Sequence, residues 1–281
     1  MMRKTLWLFA LAALTLPGCG PSGGGPSAPP PPPPSAGGGG QEGTQVGGGT
    51  TQTGAAGTVI APTGVTVSGA IKFDGTPPER NNLAGPMSGI QFCADSHTGP
   101  VLSEEVVVGP EGGLMNAFVY VSAGPALSGT FRPDMTKKAK LDQTGCLYVP
   151  HVPGMMAGQD LDIVNSDRTM HNVNCQPQVN ASFNQAQPVP GTFTKSLRRP
   201  EMAIRFNCNV HPWMGAYLHV MDHPFFAVTD EQGRYTIPNL PPGEHTLTVW
   251  TEALGTKEIT VEVGESPVTN ADASFSPGVT H

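Results

Sequence analysis

Short runs in which apolar and polar residues alternate, each closed off by Gly, Pro, Asn or Asp, recur along this chain from Val65 onward, and no stretch sustains the spacing of an amphipathic helix. A period of two places every second side chain on one face, so such runs bury a single face as strands and not as helices. The clearest are Val65 to Phe73, Ala117 to Ser122, Asp160 to Asn165, Ala203 to Asn207, Ala216 to Val220, Gly233 to Ile237, His245 to Trp250 and Lys257 to Val263. Many short strands at regular spacing with turn signals between them predict an all-β sandwich or barrel.

The first sixty residues obey different rules. Arg3 and Lys4 precede an apolar stretch from Leu6 to Leu16, too short to span a bilayer, and then Leu16-Pro17-Gly18-Cys19. This order fits a signal peptide over residues 1–18, and its end resembles a bacterial lipobox, which implies lipidation of Cys19. Residues 19–61 are almost all Gly, Pro, Ser, Thr, Gln and Ala, including the run Pro29 to Pro34. Such a segment cannot bury a core and is expected to be a disordered Pro/Gly-rich tether. Removal of Arg3 and Lys4 with the leader makes the formal net charge of −7 more negative by two. An acidic chain with no basic stripe argues against a nucleic-acid partner. Export implies an oxidising compartment, periplasm or cell surface, and Gly20 in place of Asp after Cys19 favours the outer membrane. In that compartment the five cysteines persist only if lipidated, paired or metal-bound.

The stretch Ala203-Ile-Arg-Phe206-Asn-Cys208-Asn-Val-His211-Pro-Trp-Met214 carries the chemistry. Alternation puts Ile204, Phe206 and Cys208 on one face, so the thiol reaches the strand end pointing inward, and a tight loop returns His211 and Met214 toward it. A thiolate, an imidazole and a thioether together suit copper cycling between Cu(I) and Cu(II). A second imidazole is available in Asn165-Ser-Asp167-Arg-Thr-Met-His171-Asn172-Val173. Here the chain resembles the cupredoxins: the His-Asn-Val run is similar to the first-ligand segment of plastocyanin and amicyanin, and Cys-x2-His-Pro-aromatic-Met to the short ligand loop of amicyanin. The resemblance covers about eighty residues and implies one type 1 copper held by His171, Cys208, His211 and Met214. It also implies that Asn172 ties the two ligand loops together. Two other readings remain open: a Cys175–Cys208 disulfide, and a zinc site of His171, Cys175, Cys208 and His211. Cys93 and Cys146 are expected to pair as a structural disulfide, while His97 and His151 leave open a second metal site with them.

The tail, Val228 to Trp250, contains an Asp230 to Gly233 hairpin signal and the turn pair Pro242-Gly243. It resembles the carboxypeptidase regulatory-like, or transthyretin-like, β-sandwich. The early segments Ser68 to Gly75 and Asn116 to Val121 fit that family's opening strands. The organisation expected is a first β segment at 62–139, a cupredoxin-like Greek-key sandwich at 140–222 and regulatory-like strands at 223–281. Whether the middle segment is an insertion in one sandwich or stands in tandem stays open.

No nucleophile elbow, phosphate loop, metalloprotease helix or haem-attachment motif occurs, so no enzymatic activity is expected. The function expected is that of a membrane-anchored one-electron carrier between a redox protein donor and an acceptor, with the edge of His211, ringed by Pro212 and Trp213, as the electron port. The alternative is a cell-surface binding or structural β-sandwich lipoprotein in which zinc or a disulfide replaces redox copper.

Overall fold

The computed structural model describes residues 63–277, all within one unit spanning Gly54–His281. The leader, Cys19 and the tether lie outside the described residues. Among the described residues nearly all regular structure is β, as the alternating runs predict, and no helix there is long and apolar enough to cross a membrane.

The chain opens with strand β1 (Val65–Phe73), passes through two short helices, α1 (Ala84–Met87) and α2 (Gln91–Asp95), and a ribbon of β2 (Val107–Val108) and β3 (Leu114–Met115), and reaches β4 (Phe118–Ala123). A middle block follows: β5 (Ala139–Thr144), β6 (Leu147–Val149), β7 (Gly154–Met156), β8 (Asp160–Asn165), β9 (His171–Gln176), β10 (Phe183–Gln187), β11 (Gly191–Ser196), β12 (Glu201–Asn207) and β13 (Gly215–Met221). The last block is β14 (Phe226–Val228), β15 (Arg234–Leu240), β16 (Gly243–Thr251), β17 (Gly255–Val263) and β18 (Ala273–Phe275).

The first and last blocks build one sandwich together. Its sheets are β15-β1-β18 and β14-β4-β16-β17, so β1 and β4 find all their sheet neighbours a hundred or more residues later in the chain. Val67, Ile71 and Phe73 of β1 point between these sheets against Val119, Val121, Leu247 and Val249. Gly69 has no room for a side chain, since a Cβ there would stand 2.1 Å from the Ala271 carbonyl oxygen. Gly233 closes the hairpin turn at φ +73°, a backbone conformation glycine adopts without strain.

The middle block is a second sandwich, with sheets β10-β9-β12-β13-β7 and β11-β8-β5-β6. It sits in the chain between β4 and β14, so the first sandwich encloses it as an insertion. Its core of Leu141, Tyr148, Leu161, Ile163, Ile204, Phe206 and Leu218 also takes in Met87, Cys93 and Val101 from the segment after β1. That segment therefore leaves the first sandwich, packs on the second, and is bonded there by the Cys93–Cys146 disulfide. A third cluster, in which Phe118, Val152 and Met221 are buried beside Phe226 and Trp250, joins the two sandwiches.

Candidate metal centre

Strand β12 buries Ile204 and Phe206 and exposes Arg205, so Cys208, next on the same face, enters the core just past the strand end with 2% of its surface exposed. The loop from Cys208 to Met214 is closed by its own backbone. Met214 N–H donates to the His211 carbonyl at 2.9 Å, Cys208 N–H donates to the Met214 carbonyl at 3.3 Å, and His211 N–H donates to Cys208 Sγ at 3.4 Å. Strand β9 begins at His171, held in register opposite Gln187 of β10. Asn172 accepts the Asn209 N–H at 3.0 Å through its side-chain oxygen and so bridges the two segments that supply the imidazoles.

His171, Cys208 and His211 each bring one donor atom into a cluster in which all lie within 4.8 Å of one another, and all three are buried. The Nδ1 atoms of the two imidazoles are 2.9 Å apart, and Cys208 Sγ lies 3.6 Å from His211 Nδ1. A metal bound at about 2.3 Å to sulfur and about 2.0 Å to nitrogen holds those two atoms roughly 3.6 Å apart, so the spacing fits a shared ion. The Met214 side chain is buried at the closed end of the same loop.

The electrostatics suit a thiolate. Burial by itself raises the Cys208 pKa, but hydrogen bonds from His171, His211 and the backbone N–H groups of Asn172 and His211 outweigh it and bring the thiol down to about 5. Burial pulls the other way on His171, whose pKa is nonetheless raised because Asp167 and Cys208 favour its charged form. Asp167 is the partner that fixes this ring: Oδ2 accepts from His171 Nε2 at 2.8 Å, and the same carboxylate accepts the backbone N–H groups of Gly145 and Cys146, each at 2.8 Å. With Nε2 donating to the carboxylate, the Nδ1 of a neutral His171 keeps its lone pair for the cluster. The Asn-x-Asp run is plain in the sequence, but nothing local in it signals this role for Asp167.

Other candidate residues fall elsewhere. Cys175 and Cys208 are both free, so the Cys175–Cys208 disulfide does not form. Cys175 sits across from Phe206 and Phe183 in the sheet, where burial pushes its thiol up to about 12, and it is absent from the donor cluster that the zinc reading needs. His97 bonds the Gly145 carbonyl at 2.7 Å, and His151 bonds Glu252 at 2.5 Å at the junction of the sandwiches. Neither joins Cys93 and Cys146. The expectation of an exposed His211 edge is corrected: the ring is 0% exposed, because Cys93 Sγ stands 3.6 Å from its Nε2. Trp213 flanks the ring at a centroid distance of 5.2 Å and donates its indole N–H to the Cys146 carbonyl at 3.0 Å. The disulfide thus closes the edge that the short loop alone would have left open.

No family model matches the chain, and no curated protein does. Among solved structures it is similar to a Cu-containing nitrite reductase from Thermus scotoductus SA-01, at 17% identity over 36% of this chain and 27% of that one, with a TM-score of 0.28. It is also similar to a purple cupredoxin from Nitrosopumilus maritimus, at 19% identity over 30% of this chain and 99% of that one, with a TM-score of 0.26. An amicyanin variant in its Cu(I) form gives 15% identity over 30% of this chain and 81% of that one, with a TM-score of 0.27. This chain thus spans about a quarter of the nitrite reductase. The chemistry of the centre rests on its donor geometry and not on these likenesses.

Proposed function

We propose that the chain is a type 1 copper protein that passes single electrons, in which His171, Cys208, His211 and Met214 would hold the copper. The observation that supports this reading is the buried convergence of two imidazole Nδ1 atoms and one cysteine sulfur at metal-ligand spacing. Copper supplies the one-electron couple when bound. The chain supplies the rest: β12 and β9 hold the donors apart at that spacing, Asp167 keeps the His171 lone pair turned inward, and the closed loop keeps water out.

In this reading the carrier is exported, lipid-anchored through Cys19, and docks transiently with a redox donor and an acceptor. The docking face would lie on the loops that carry Met170, Val189 and Val210, which are 47%, 65% and 36% exposed and flank the ligand segments. Addition of Cu(II) to the purified chain tests the centre directly. An intense visible thiolate-to-copper band that is absent from Cys208→Ser is expected, and a colourless native protein would overturn the reading.

A further inference from the structure

Both edges of the His211 imidazole face sulfur. Nδ1 lies 3.6 Å from Cys208 Sγ on the inner side, and Nε2 lies 3.6 Å from Cys93 Sγ on the outer side. The ring is fully buried, and Nε2 has no oxygen or nitrogen acceptor among the described residues. A disulfide sulfur is a weak acceptor, so this ring nitrogen is poorly satisfied. Cys93, Cys146 and His211 form a group with one donor atom from each within 4.8 Å of the others, the two sulfurs being bonded to each other at 2.02 Å, so they can serve one metal together only after that bond is broken. The outer spacing of sulfur and nitrogen, like the inner one, equals the roughly 3.6 Å at which two ligands of one metal stand apart.

We propose that the Cys93–Cys146 pair, once reduced, joins His211 Nε2 in a second site for a soft metal, Cu(I), on the outer edge of the imidazole. The step needs a dithiol reductant. Its thiolate attacks a disulfide sulfur, the S–S bond breaks as a mixed disulfide forms, and its second thiol resolves that intermediate, leaving two protein thiols and a cyclic disulfide. Binding of Cu(I) then releases both thiol protons. Cys93 and Cys146 are both 0% exposed, so reductant and metal would have to enter through the surface cavity of about 240 Å³ that Cys93 lines with Ala84, Met87, His97 and Val101. Two thiolates and an imidazole are a softer set than one thiolate and two imidazoles and favour Cu(I).

A consequence for the inner centre rests on the proposed copper function. A neutral imidazole has one lone pair, so His211 serves one metal at a time. The disulfide form leaves the ring free for the inner centre, while the dithiol form competes for it from outside. Dithiol reduction would then withdraw His211 from the inner centre and change its colour.

The test uses the full-length chain carrying Cys208→Ser, which removes the inner thiolate. The protein is reduced with a dithiol, freed of reductant without air, and titrated with Cu(I) against a coloured Cu(I) chelator. The reduced form is expected to bind one Cu(I) roughly 100-fold more tightly than the disulfide form. X-ray absorption should find two sulfurs and one nitrogen. Adding Cys93→Ser with Cys146→Ser, or adding His211→Gln, should each remove most of the gain. No gain on reduction, or a gain that survives His211→Gln, overturns the proposal. Hydrogen exchange over residues 84–101 reports whether that segment stays seated, and a segment that leaves on reduction also overturns it, because the site then loses Cys93. Failure of the copper reading is distinguishable: a native disulfide form that stays colourless with Cu(II), beside an intact Cu(I) gain in the reduced variant, removes the inner centre and leaves the outer one standing.

Discussion

Cys175 and Cys208 are buried in the same core, yet one is held as a thiol near pKa 12 and the other is poised as a thiolate near 5. Burial acts on both in the same direction, and only Cys208 has imidazole and backbone N–H donors to overcome it. Cys208→Ser should therefore abolish the visible band while far-UV circular dichroism stays that of a β protein, because a hard serine oxygen is a poor substitute for thiolate. Cys175→Ala should leave the band in place, and a spectrum that changed with Cys175 would move it into the site. Met214→Leu should retain copper and raise the reduction potential, since a weak axial sulfur stabilises Cu(II) more than it adds affinity. His219 carries a pH effect of a different kind. Stacked on Phe118 at 4.1 Å and edge-on to Trp250 at 4.5 Å, it is held neutral by burial, with its pKa lowered to about 3. The unfolded chain takes up that proton near pH 6.5, so stability should fall as pH drops from 6.5 toward 3, by up to roughly 4 to 5 kcal/mol. Denaturant melts across that range should show the slope in the native protein and lose its His219 share in His219→Phe.

Among the elements, the Cys208–Met214 loop is closed by its own backbone and is tied to its neighbours by groups outside it. Asn172, at the start of β9, holds Asn209 through its side-chain oxygen, so Asn172→Ala should cost about 1 kcal/mol and broaden the copper spectrum as the two segments lose their tie. Asp167 performs the matching task on the other side, binding the β5–β6 turn at Gly145 and Cys146 to the far edge of His171. The disulfide in that turn closes a loop of 53 residues, which corresponds to about 4 kcal/mol of chain entropy. The double replacement Cys93→Ala, Cys146→Ala should lower the urea midpoint accordingly, with Met87 and Val101 still seated in the second core. The inward Cys208 and the short loop to His211 were legible because a strand's period of two and a two-residue gap between Cys208 and His211 are local features. The tie between Asp167 and the Gly145-Cys146 turn spans more than twenty residues and has no local signature.

At the scale of the whole molecule the first sandwich is split, and its halves meet by pairing β1 with β15 and β18 and β4 with β14 and β16 around one core. Strand β4 pairs with both β14 and β16, and Phe118 at its start is buried against Phe226 and the second sandwich. Trp250, on β16, packs 4.5 Å from His219 of β13, so one aromatic cluster couples the two cores. A single thermal transition is expected for the native protein. Trp250→Ala should remove about 3 kcal/mol of packing at this seam and separate the calorimetric trace into two steps, with the copper band following only one of them. A single step in that variant would place the coupling elsewhere, in the disulfide-bonded segment that also crosses between the sandwiches.

Alternation along the chain was enough to specify an all-β molecule, because each strand's inward face is set by residues two apart. The sequence around Cys208 likewise carried part of the candidate donor set: strand and tight loop are contiguous, and the convergence of Cys208 and His211 follows from chain geometry over four residues, whereas His171 comes from a separate strand. Tertiary packing decided whether His211 meets solvent. Cys93 is 118 residues from it in sequence, and the two meet because the segment after β1 buries Met87, Cys93 and Val101 in a core that is not its own sandwich's. That placement reflects apolar burial shared between two cores and a covalent bond to Cys146, neither of which any periodicity in the chain encodes.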